Sequence, residues 1–393
     1  MKELFLTKYD CCGCTACYSV CPVNAISMLE DEEGFKYPTI NLNMCINCNK
    51  CIQVCPLKSE KIEKDPIRII AANNKNESVR KKSSSGGIFS LLAEHVEKKN
   101  GVIYGAAFDE NFRVIHMRAE SENEWCSFRG SKYVQSDLNN TFKKVKKDLE
   151  DNRYVLFTGT PCQIDGLIHY LNNQSVNQER LLTCDIICHG VSSPLIWDEY
   201  VQYIGQTKGK IANVFFRDKE INGWHNSTLT MIDEKGNTIF AETKSVNMYF
   251  QLFSCGQILR PACHQCHYSS FSRISDITIG DYWGIEKKYP TKDDDKGISL
   301  VIVNSLKGKS VIQEILGKMS YFDVSKKECE QPNLLKPSEE SLNRNRFWYW
   351  FRKYGLKTTG QSMGYLPMDR KEKLTKYVYL VIEKIISITL KPY

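Results

Sequence analysis

The chain lacks several features that would assign it to common classes of protein. It has no apolar run of about 18 residues, the length that a membrane-spanning helix needs. Its start shows no positively charged segment followed by an apolar stretch, so we expect no signal peptide. No G-x-G-x-x-G motif follows a predicted strand, and no G-x4-G-K-S/T motif occurs. The sequence therefore supports neither a standard dinucleotide fold nor a P-loop.

Strong charge of one sign is also missing. The 53 Lys and Arg residues face 46 Asp and Glu residues, which leaves a net charge of +7 over 393 residues. The lysine cluster of Lys143, Lys144, Lys146 and Lys147 has the pattern of a solvated helix face, so we expect no nucleic-acid partner. The hydrophobic and charged fractions are those of a folded globular protein. The length allows two or three domains.

Cysteine, in contrast, is abundant, with 17 residues, and most of it is patterned. Two copies of the signature C-x2-C-x2-C-x3-C-P stand near the N-terminus, at Cys11, Cys14, Cys17 and Cys21-Pro22, and at Cys45, Cys48, Cys51 and Cys55-Pro56. This run is typical of bacterial proteins that bind two [4Fe-4S] clusters. Cysteines in cluster spacing need a reducing interior, which predicts a cytoplasmic protein.

In such runs the first three thiolates hold one cluster and the fourth crosses to the other. We therefore assign Cys11, Cys14, Cys17 and Cys55 to one cluster, and Cys45, Cys48, Cys51 and Cys21 to the other. Zinc is the alternative, because paired C-x2-C units also bind it. A tetrahedral zinc site has no use for a third cysteine repeated at the next step in both copies, so the pattern favours iron–sulfur clusters.

The remaining pattern predicts an α+β ferredoxin-like two-cluster module and then a larger α/β domain with antiparallel insertions, ending in a helical tail. A hairpin is predicted between Ile26 and Ile40, around Glu33-Gly34. The predicted divisions are a two-cluster module over 1–60, a linker over 61–82, the α/β domain over 83–330, and a basic aromatic tail over 331–393.

The tail ends in an apolar series at helical spacing: Val378, Val381, Ile382, Ile385 and Ile388. Such an amphipathic helix packs on its own protein core by default. Peripheral contact with an anionic membrane surface is the alternative.

A second group of cysteines is expected to form another site. Cys162 opens a predicted helix, Cys188 ends a predicted strand, and Cys263 and Cys266 form a C-x2-C pair. Together they suit a third [4Fe-4S] cluster, with zinc or plain burial as alternatives. Cys184 competes with Cys188 for the same position. We interpret Cys126, Cys255 and Cys329 as small buried hydrophobic residues.

The local sequence predicts that Cys162 lies in the first turn of a helix. Thr160 can cap the helix, Pro161 suits its first position, and Gln163 completes a capping box. Cys162 then falls in the first turn, where the helix dipole favours thiolate. Pro161-Cys162-Gln163 also occurs in cytosine-C5 DNA methyltransferases, but no methyl-donor glycine motif accompanies it here.

An anion site is predicted at Ser84-Ser85-Gly86-Gly87, which opens a helix behind Arg80, Lys81 and Lys82. Such a loop can bring backbone N–H groups against a pyrophosphate. Two further segments, Arg129-Gly130-Ser131-Lys132-Tyr133 and Gly280-Asp281-Tyr282-Trp283-Gly284, supply a cation, hydroxyls and aromatic faces that suit a flavin ring.

These residues resemble the beta subunit of coenzyme F420-reducing hydrogenases and dehydrogenases, in its version with an N-terminal two-cluster ferredoxin module. The resemblance covers roughly residues 1–330. In family order it rests on Ser85-Gly86-Gly87, Gly130-Ser131-Lys132-Tyr133, Gly159-Thr160-Pro161-Cys162-Gln163, Cys188-His189-Gly190, Cys263-x2-Cys266 and Asp281-Tyr282-Trp283-Gly284. It implies an FAD-binding iron–sulfur oxidoreductase with a third cluster on Cys162, Cys188, Cys263 and Cys266. The FAD contacts that it implies are Ser85, Gly86, Gly87, Lys132, Tyr133, Thr158 and Thr160.

The leading hypothesis is an enzyme that moves electrons from a ferredoxin or another redox subunit to FAD, and from FAD to a small organic substrate. Relatives with this layout occur in bacteria thought to lack the deazaflavin, often alongside surface-polysaccharide genes, which suggests a role in that biosynthesis. The alternatives are a coenzyme F420 reductase or dehydrogenase subunit and a non-catalytic electron-transfer subunit for a partner enzyme. No catalytic residue is assigned.

Overall fold

The computed structural model describes residues 4–60 and 63–368. Within them the strands are β1 (Ile26–Glu30), β2 (Lys36–Ile40), β3 (Arg68–Asn74), β4 (Val102–Phe108), β5 (Val114–Ala119), β6 (Val155–Gly159), β7 (Leu181–Ile186), β8 (Asn213–Asp218), β9 (Thr228–Ile232), β10 (Thr238–Thr243), β11 (Ile277–Asp281), β12 (Ser299–Val303) and β13 (Met319–Asp323). The α-helices are α1 (Ala16–Val20), α2 (Lys50–Gln53), α3 (Glu77–Lys81), α4 (Ile88–Glu97), α5 (Glu122–Trp125), α6 (Thr141–Glu150), α7 (Pro161–Asn173), α8 (Pro194–Lys208), α9 (Met248–Ser254), α10 (Ile285–Lys288), α11 (Leu306–Ile315) and α12 (Arg344–Ser362).

The N-terminal module contains the predicted hairpin. β1 and β2 pair antiparallel, with Ile26 opposite Ile40. The Asp31 carboxylate accepts hydrogen bonds from the backbone N–H groups of Glu33 and Phe35, and Gly34 takes the left-handed conformation that closes the turn. The short helices α1 and α2 lie in the two cysteine runs and contact each other.

A mixed eight-stranded sheet, in the order β13-β3-β12-β11-β7-β6-β4-β5, forms the centre of the molecule. The four strands β11, β7, β6 and β4 are mutually parallel, and the strands that flank them pair antiparallel. Parallel strands present their carboxyl ends at one edge, which is where α/β sheets bind ligands. The predicted α/β architecture with antiparallel additions is confirmed at this level.

The predicted linker contains an inner strand of this sheet. β3 pairs with both β12 and β13, and Ile69, Ile70 and Ala71 are buried. The longest apolar run in this stretch is the four residues 69–72, and charged and amide side chains dominate the rest, so its composition resembles that of a linker. Pairing on both sides, which no local pattern reveals, makes it a strand.

A second core lies beside the main sheet. The antiparallel sheet β10-β9-β8 packs with α8, α9 and α12, and the aromatic residues Phe347, Trp348 and Phe351 of α12 are buried there. The first part of the predicted basic aromatic tail is therefore integral to the fold. The predicted amphipathic helix around Val378–Ile388 lies outside the described residues. No helix in residues 4–60 or 63–368 has the length and apolar character to cross a bilayer.

The isolated cysteines differ in their surroundings. Cys329 is buried, as expected, and Cys126 is half-buried. Cys255 is exposed, so its interpretation as a buried residue is wrong. The reason is its position directly after α9, where the chain turns at the surface.

The N-terminal module packs closely against the rest of the chain. A Cβ atom at Gly166 of α7 would lie 2.8 Å from the Cys14 sulfur, and one at Gly34 would lie 2.4 Å from the Leu195 Cβ. The carboxylate of Glu33 forms a buried ion pair with Arg344 of α12. The module is therefore fixed on the larger domain at several points.

Candidate metal centres and cofactor cavity

The eight cysteines of the N-terminal runs line two small cavities. Cys11, Cys14, Cys17 and Cys55 line the first, and Cys21, Cys45 and Cys48 line the second. Cys51 lies between the two and lines both. Burial, and then the neighbouring thiols of Cys11 and Cys55, raise the pKa of Cys17. The crossed ligand assignment requires this placement of Cys55 and Cys21.

Backbone geometry around the two sites is repeated. Gly13 and Thr15 in the first run have left-handed φ angles of 72° and 65°, and Asn47 and Asn49 in the second have 56° and 61°. These turns wrap the chain tightly around each site, and asparagine tolerates the conformation better than most residues. The backbone N–H of Ala25 donates to the Cys21 sulfur at 3.2 Å, a contact of the kind that tunes iron–sulfur clusters.

The second group of cysteines also comes together. Cys162 at the start of α7, Cys188 just beyond β7, and Cys263 and Cys266 in and after the 3-10 turn Pro261–Gln265 line one cavity of about 300 Å³. Burial, and then the thiols of Cys263, Cys162 and Cys266, raise the pKa of Cys188 well above its usual value. The N–H groups of Val191 and Tyr268 donate to the sulfurs of Cys263 and Cys266, both at 3.4 Å.

The donor set and the cavity fit an iron–sulfur cluster in chemistry. Four thiols supply the ligands that [4Fe-4S] clusters use. In the described part of the chain, no three His, Cys, Asp or Glu side chains are grouped to hold a single ion. The sulfurs stand around a cavity that backbone N–H groups approach.

Cys184 does not belong to this set. It is 1% exposed and packs in the hydrophobic core under α4, whereas Cys188 lies in the cavity with the other three cysteines. Cys184 belongs to β7 itself, and Cys188 follows the end of that strand. Of the two cysteines, Cys188 is the one that lines the cavity of Cys162, Cys263 and Cys266.

The predicted capping of α7 is confirmed. Thr160 and Gln163 form a capping box, Pro161 occupies the first turn, and the Thr160 hydroxyl lies 3.2 Å from the Cys162 sulfur. The expectation that the helix dipole favours a Cys162 thiolate is not met in the protein alone. A hydrogen bond with the Cys12 thiol, and then burial, raise the pKa of Cys162 well above its usual value.

Cys12 is a site residue that sequence reasoning missed. It stands between two predicted ligands of the first site, and it lines both that cavity and the cavity of Cys162. Its thiol hydrogen-bonds with those of Cys14 and Cys162. The signal in the sequence is the doubled cysteine at Cys11-Cys12, which the ligand spacing does not require. The N-terminal module therefore contributes a fifth thiol to the second group.

A larger cavity of about 460 Å³ lies at the carboxyl ends of β6, β7 and β11. Six of the seven predicted FAD contacts line it: Ser85, Gly87, Lys132, Tyr133, Thr158 and Thr160. Gly86 lies behind the wall, because a Cβ atom there would stand 2.4 Å from the Ala72 carbonyl oxygen of β3. The glycine thus permits close packing of the loop on the sheet.

The Ser-Gly loop is held rigidly at the cavity. The Ser84 Oγ accepts a hydrogen bond from the Ser131 N–H at 2.6 Å, which joins the loop to the segment that carries Lys132. The Ser85 Oγ donates to the Ile298 carbonyl at 2.9 Å, and the Gly86 N–H donates to the Ser299 Oγ at 3.0 Å. α4 begins directly after Gly87, so the loop opens a helix as the sequence predicts, and the first turn of α4 faces the cavity. Helix starts of this kind bind anions.

Lys132 brings a positive charge to the cavity wall. Its ammonium group donates to the carbonyls of Ser127 and Arg129, at 2.8 and 3.0 Å. Burial lowers the pKa of Lys132 to about 7, because it disfavours the charged form and no carboxylate among the described residues pairs with the ammonium group. An anionic ligand in the cavity would restore the charge.

The far end of the cavity combines aromatic and cationic side chains. Trp283 stacks on Trp224 with 5.0 Å between ring centroids, and Arg217 and Lys244 lie 5.0 and 5.3 Å from the Trp283 centroid. Arg217 is buried and paired with Asp281. Sequence reasoning found Trp283 but missed Arg217 and Lys244, because they come from the separate sheet and its flank and no motif marks them.

The two cavities share a wall. Thr160, Cys188, His189, Gly190 and Val191 line both. At Gly190 the backbone is left-handed, and a Cβ atom would stand 2.9 Å from Leu259, so only glycine keeps this wall thin. The cysteine site and the larger cavity are therefore direct neighbours.

Comparison with known protein families gives a match for the N-terminal module and another for the larger domain. Residues 152–328 match the family that describes the C-terminal part of the beta subunit of coenzyme F420 hydrogenase/dehydrogenase. Residues 10–59 match a 4Fe-4S dicluster domain.

Among the matching solved structures is a chain from the F420-reducing [NiFe] hydrogenase complex of Methanosarcina barkeri. It is 15% identical, the match covers 77% of this chain and 94% of that chain, and the TM-score is 0.47. No curated protein matches this chain. The assignment to a family rests on the two family models.

Proposed function

Because this chain belongs to the coenzyme F420 hydrogenase/dehydrogenase beta-subunit family, with an N-terminal 4Fe-4S dicluster domain, we propose that it is an iron–sulfur flavoprotein oxidoreductase acting on a small organic substrate. Its relation to these subunits makes it an electron-transfer protein of oxidoreductase type. The flavin, the third cluster and the substrate are the proposed part.

One observation carries the proposal: the cavity of Cys162, Cys188, Cys263 and Cys266 shares a wall with the larger cavity. Two redox groups that exchange electrons must lie close together, and this chain provides adjacent sites for them. Cys188 and Gly190 stand on the shared wall, so a ligand in either cavity contacts the same short segment.

The residues divide into those that hold metal and those that hold flavin. Two clusters would use the eight N-terminal cysteines, and a third would use Cys162, Cys188, Cys263 and Cys266. When bound, [4Fe-4S] clusters exchange single electrons, and a flavin can pass two to an organic molecule. The N–H groups of Val191 and Tyr268 donate to the sulfurs of Cys263 and Cys266 and would support a cluster there.

The flavin would lie in the larger cavity, with its phosphates towards the first turn of α4 and Lys132. Ser85, Gly87, Tyr133, Thr158 and Thr160 would line its remaining contacts. The Lys132 ammonium group would neutralise part of the phosphate charge. The hydrogen bonds between Ser84 and Ser131 keep the two binding segments together.

We place the substrate at the Trp283 end of this cavity. Arg217 and Lys244 there suit a negatively charged group, and Asp281 balances only one of the two cations. A deazaflavin such as coenzyme F420 and an acidic precursor of surface polysaccharides both satisfy this requirement.

An electron-donating ferredoxin or redox subunit would dock at the second cluster. Cys48 is exposed there, and the segment from Asn41 to Asn49 carries no charged side chain. Leu42, Met44 and Ile46 in this segment are 55%, 47% and 61% exposed. Small contact areas are typical of transient electron-transfer partners.

The composition of the purified protein tests the proposal. Anaerobic purification followed by reconstitution with FAD should give about twelve irons and about one flavin per chain. About eight irons would remove the third cluster, and absence of bound flavin would overturn the flavoprotein assignment. Mixing the reduced protein with coenzyme F420 then separates the two substrate classes: loss of F420 absorbance selects the deazaflavin.

A further inference from the structure

Arg260 is a buried cation at the contact between the N-terminal module and the larger domain. It is 1% exposed, and its Nε donates to the Cys11 carbonyl at 2.7 Å. One Nη donates to the Gln135 Oε1 at 2.8 Å, and the other donates to the Lys36 carbonyl at 3.1 Å. That second Nη also lies 3.7 Å from the Cys11 sulfur. The guanidinium group thus reaches a predicted cluster ligand directly.

The guanidinium group is tightly enclosed. It lies 4.2 Å from the ring centroid of Tyr37 and 5.5 Å from that of Phe35. A Cβ atom at Gly13 would stand 2.8 Å from the Arg260 Nη1 and 2.8 Å from the Gln135 Nε2. The cation therefore has a fixed position between the first cysteine site and the 3-10 turn that carries Cys263.

No carboxylate in residues 4–60 or 63–368 pairs with Arg260. Its oxygen acceptors are the carbonyls of Cys11 and Lys36 and the amide oxygen of Gln135, and all three are neutral. The ionisable groups that interact with it are the thiols of Cys11, Cys12 and Cys263 and the Tyr37 hydroxyl. Arg344, the other buried arginine of this contact, has Glu33 as its partner. A buried charge without a counter-ion is strongly unfavourable.

Thiolates that ligate iron supply the missing negative charge. A metal-bound cysteine is deprotonated, and a [4Fe-4S] cluster with four thiolates carries net negative charge. Cys11 belongs to the first predicted cluster and Cys263 to the third. Arg260 is therefore placed where the charges of both clusters act on a single cation.

We propose that Arg260 sets the reduction potentials of both the first and the third cluster, because its positive charge stabilises the added electron on each. The inference rests on the proposed function, because it requires both clusters. Net charge and hydrogen bonds to the sulfurs are among the factors that fix cluster potentials, and Arg260 provides both. Measuring the reduction potentials of the clusters tests this role directly, without an enzymatic assay.

The test is a redox titration of the holoprotein, followed by electron paramagnetic resonance, for the wild type and Arg260→Gln. Loss of the charge should make reduction of the first and third clusters at least about tenfold less favourable, which is about 59 mV lower for a one-electron couple. The second cluster, whose ligands do not contact Arg260, should keep its potential. Lys36→Gln is the control, because Lys36 is a cation of the same contact that is paired with Asp137 at 2.6 Å and is partly solvated. We expect it to leave all three potentials near those of the wild type.

Gln135→Glu provides a second variant that keeps Arg260. It places a carboxylate on the guanidinium group, at the position where Gln135 Oε1 now accepts a hydrogen bond. The same two potentials should fall, by less than in Arg260→Gln. If Arg260→Gln does not retain its iron, the reduction potentials of Gln135→Glu test the role of Arg260 instead.

Unchanged potentials in whichever of the two variants keeps its clusters would overturn the role of Arg260. An equal shift in all three clusters would also overturn it, because that result indicates a general change of structure. A wild type with only about eight irons would instead contradict the proposed function, and the iron assay distinguishes the two failures.

Discussion

At the scale of single residues, the cavity that we assign to flavin depends on one lysine whose charge is easily lost. Lys132 has three carbonyl neighbours and no carboxylate among the described residues. Burial lowers its pKa to about 7, so the free protein loses this charge within the physiological range. Binding of a phosphate group stabilises the protonated form.

This predicts a pH dependence of FAD binding. Below about pH 7 Lys132 is charged, and the affinity for FAD is highest. Above about pH 7 Lys132 must take up a proton when FAD binds, so the dissociation constant of FAD rises by up to about tenfold per pH unit. Fluorescence titration of FAD at several pH values measures the slope. Lys132→Arg stays charged and should bind equally well at each pH. A Lys132→Arg variant with the wild-type slope would show that another group is responsible.

At the scale of elements, the first cysteine site is held in place by helix packing. α1 contacts α7, and Gly166 leaves the space that Cys14 occupies. Gly166 lies within the helix, so a larger residue is compatible with its backbone and the closest conflict is with Cys14.

Gly166→Val should therefore displace Cys14. We expect loss of iron from the first cluster, and a lower stability by about 1–3 kcal/mol, the usual cost of overpacking. Iron analysis and urea denaturation measure the two effects. Gly205→Ala in α8 is the matched control, because a Cβ atom there meets no neighbour within 4 Å. It should keep its iron and be at least as stable as the wild type.

The sequence predicts the features that depend on residues close together in the chain, and it does not predict those that depend on distant residues. The capping box at Thr160, the hairpin and the cysteine runs are local, and the sequence predicts them. β3 has the composition of a linker, and it becomes a strand through partners that lie more than two hundred residues away in the chain. Arg217, Lys244 and Arg260 carry no motif, and only the folded chain brings them to their sites.

Cys12 and Gly86 illustrate the same limit in opposite directions. Cys12 falls outside the ligand spacing, and its contact with Cys162 depends on how the module packs on the domain. Gly86 belongs to a family motif, but the structure gives it a packing role on β3. A motif therefore marks a segment, and the contacts decide which of its residues can meet a ligand.

At the scale of the whole molecule, the two-cluster module is part of a single packed structure. Glu33 from the hairpin and Arg344 from α12 form a buried pair, and the Ser193 hydroxyl of the segment before α8 donates to the Glu33 carbonyl. This arrangement fixes the two-cluster module on the larger domain.

Glu33→Gln should weaken this contact strongly. Arg344 would remain buried with only the Glu340 carboxylate, 3.9 Å from its Nε, to balance its charge. Loss of one partner of a buried pair costs about 3–5 kcal/mol. Urea denaturation should show this decrease in the free energy of unfolding. Lys210→Gln breaks the exposed pair with Glu234 and should leave stability unchanged. Equal stability of the two variants would contradict the importance of the buried pair.

The central claim is that Cys188 joins a cluster site to the cofactor cavity, and the iron content of two cysteine variants tests it most directly. Cys188→Ala and Cys184→Ala change neighbouring cysteines of the same chain segment: Cys188 lines both cavities, whereas Cys184 lies in the core and borders the larger cavity alone. After anaerobic purification we predict about eight irons per chain for Cys188→Ala and about twelve for Cys184→Ala. About twelve irons in Cys188→Ala, or about eight in Cys184→Ala, would contradict the claim.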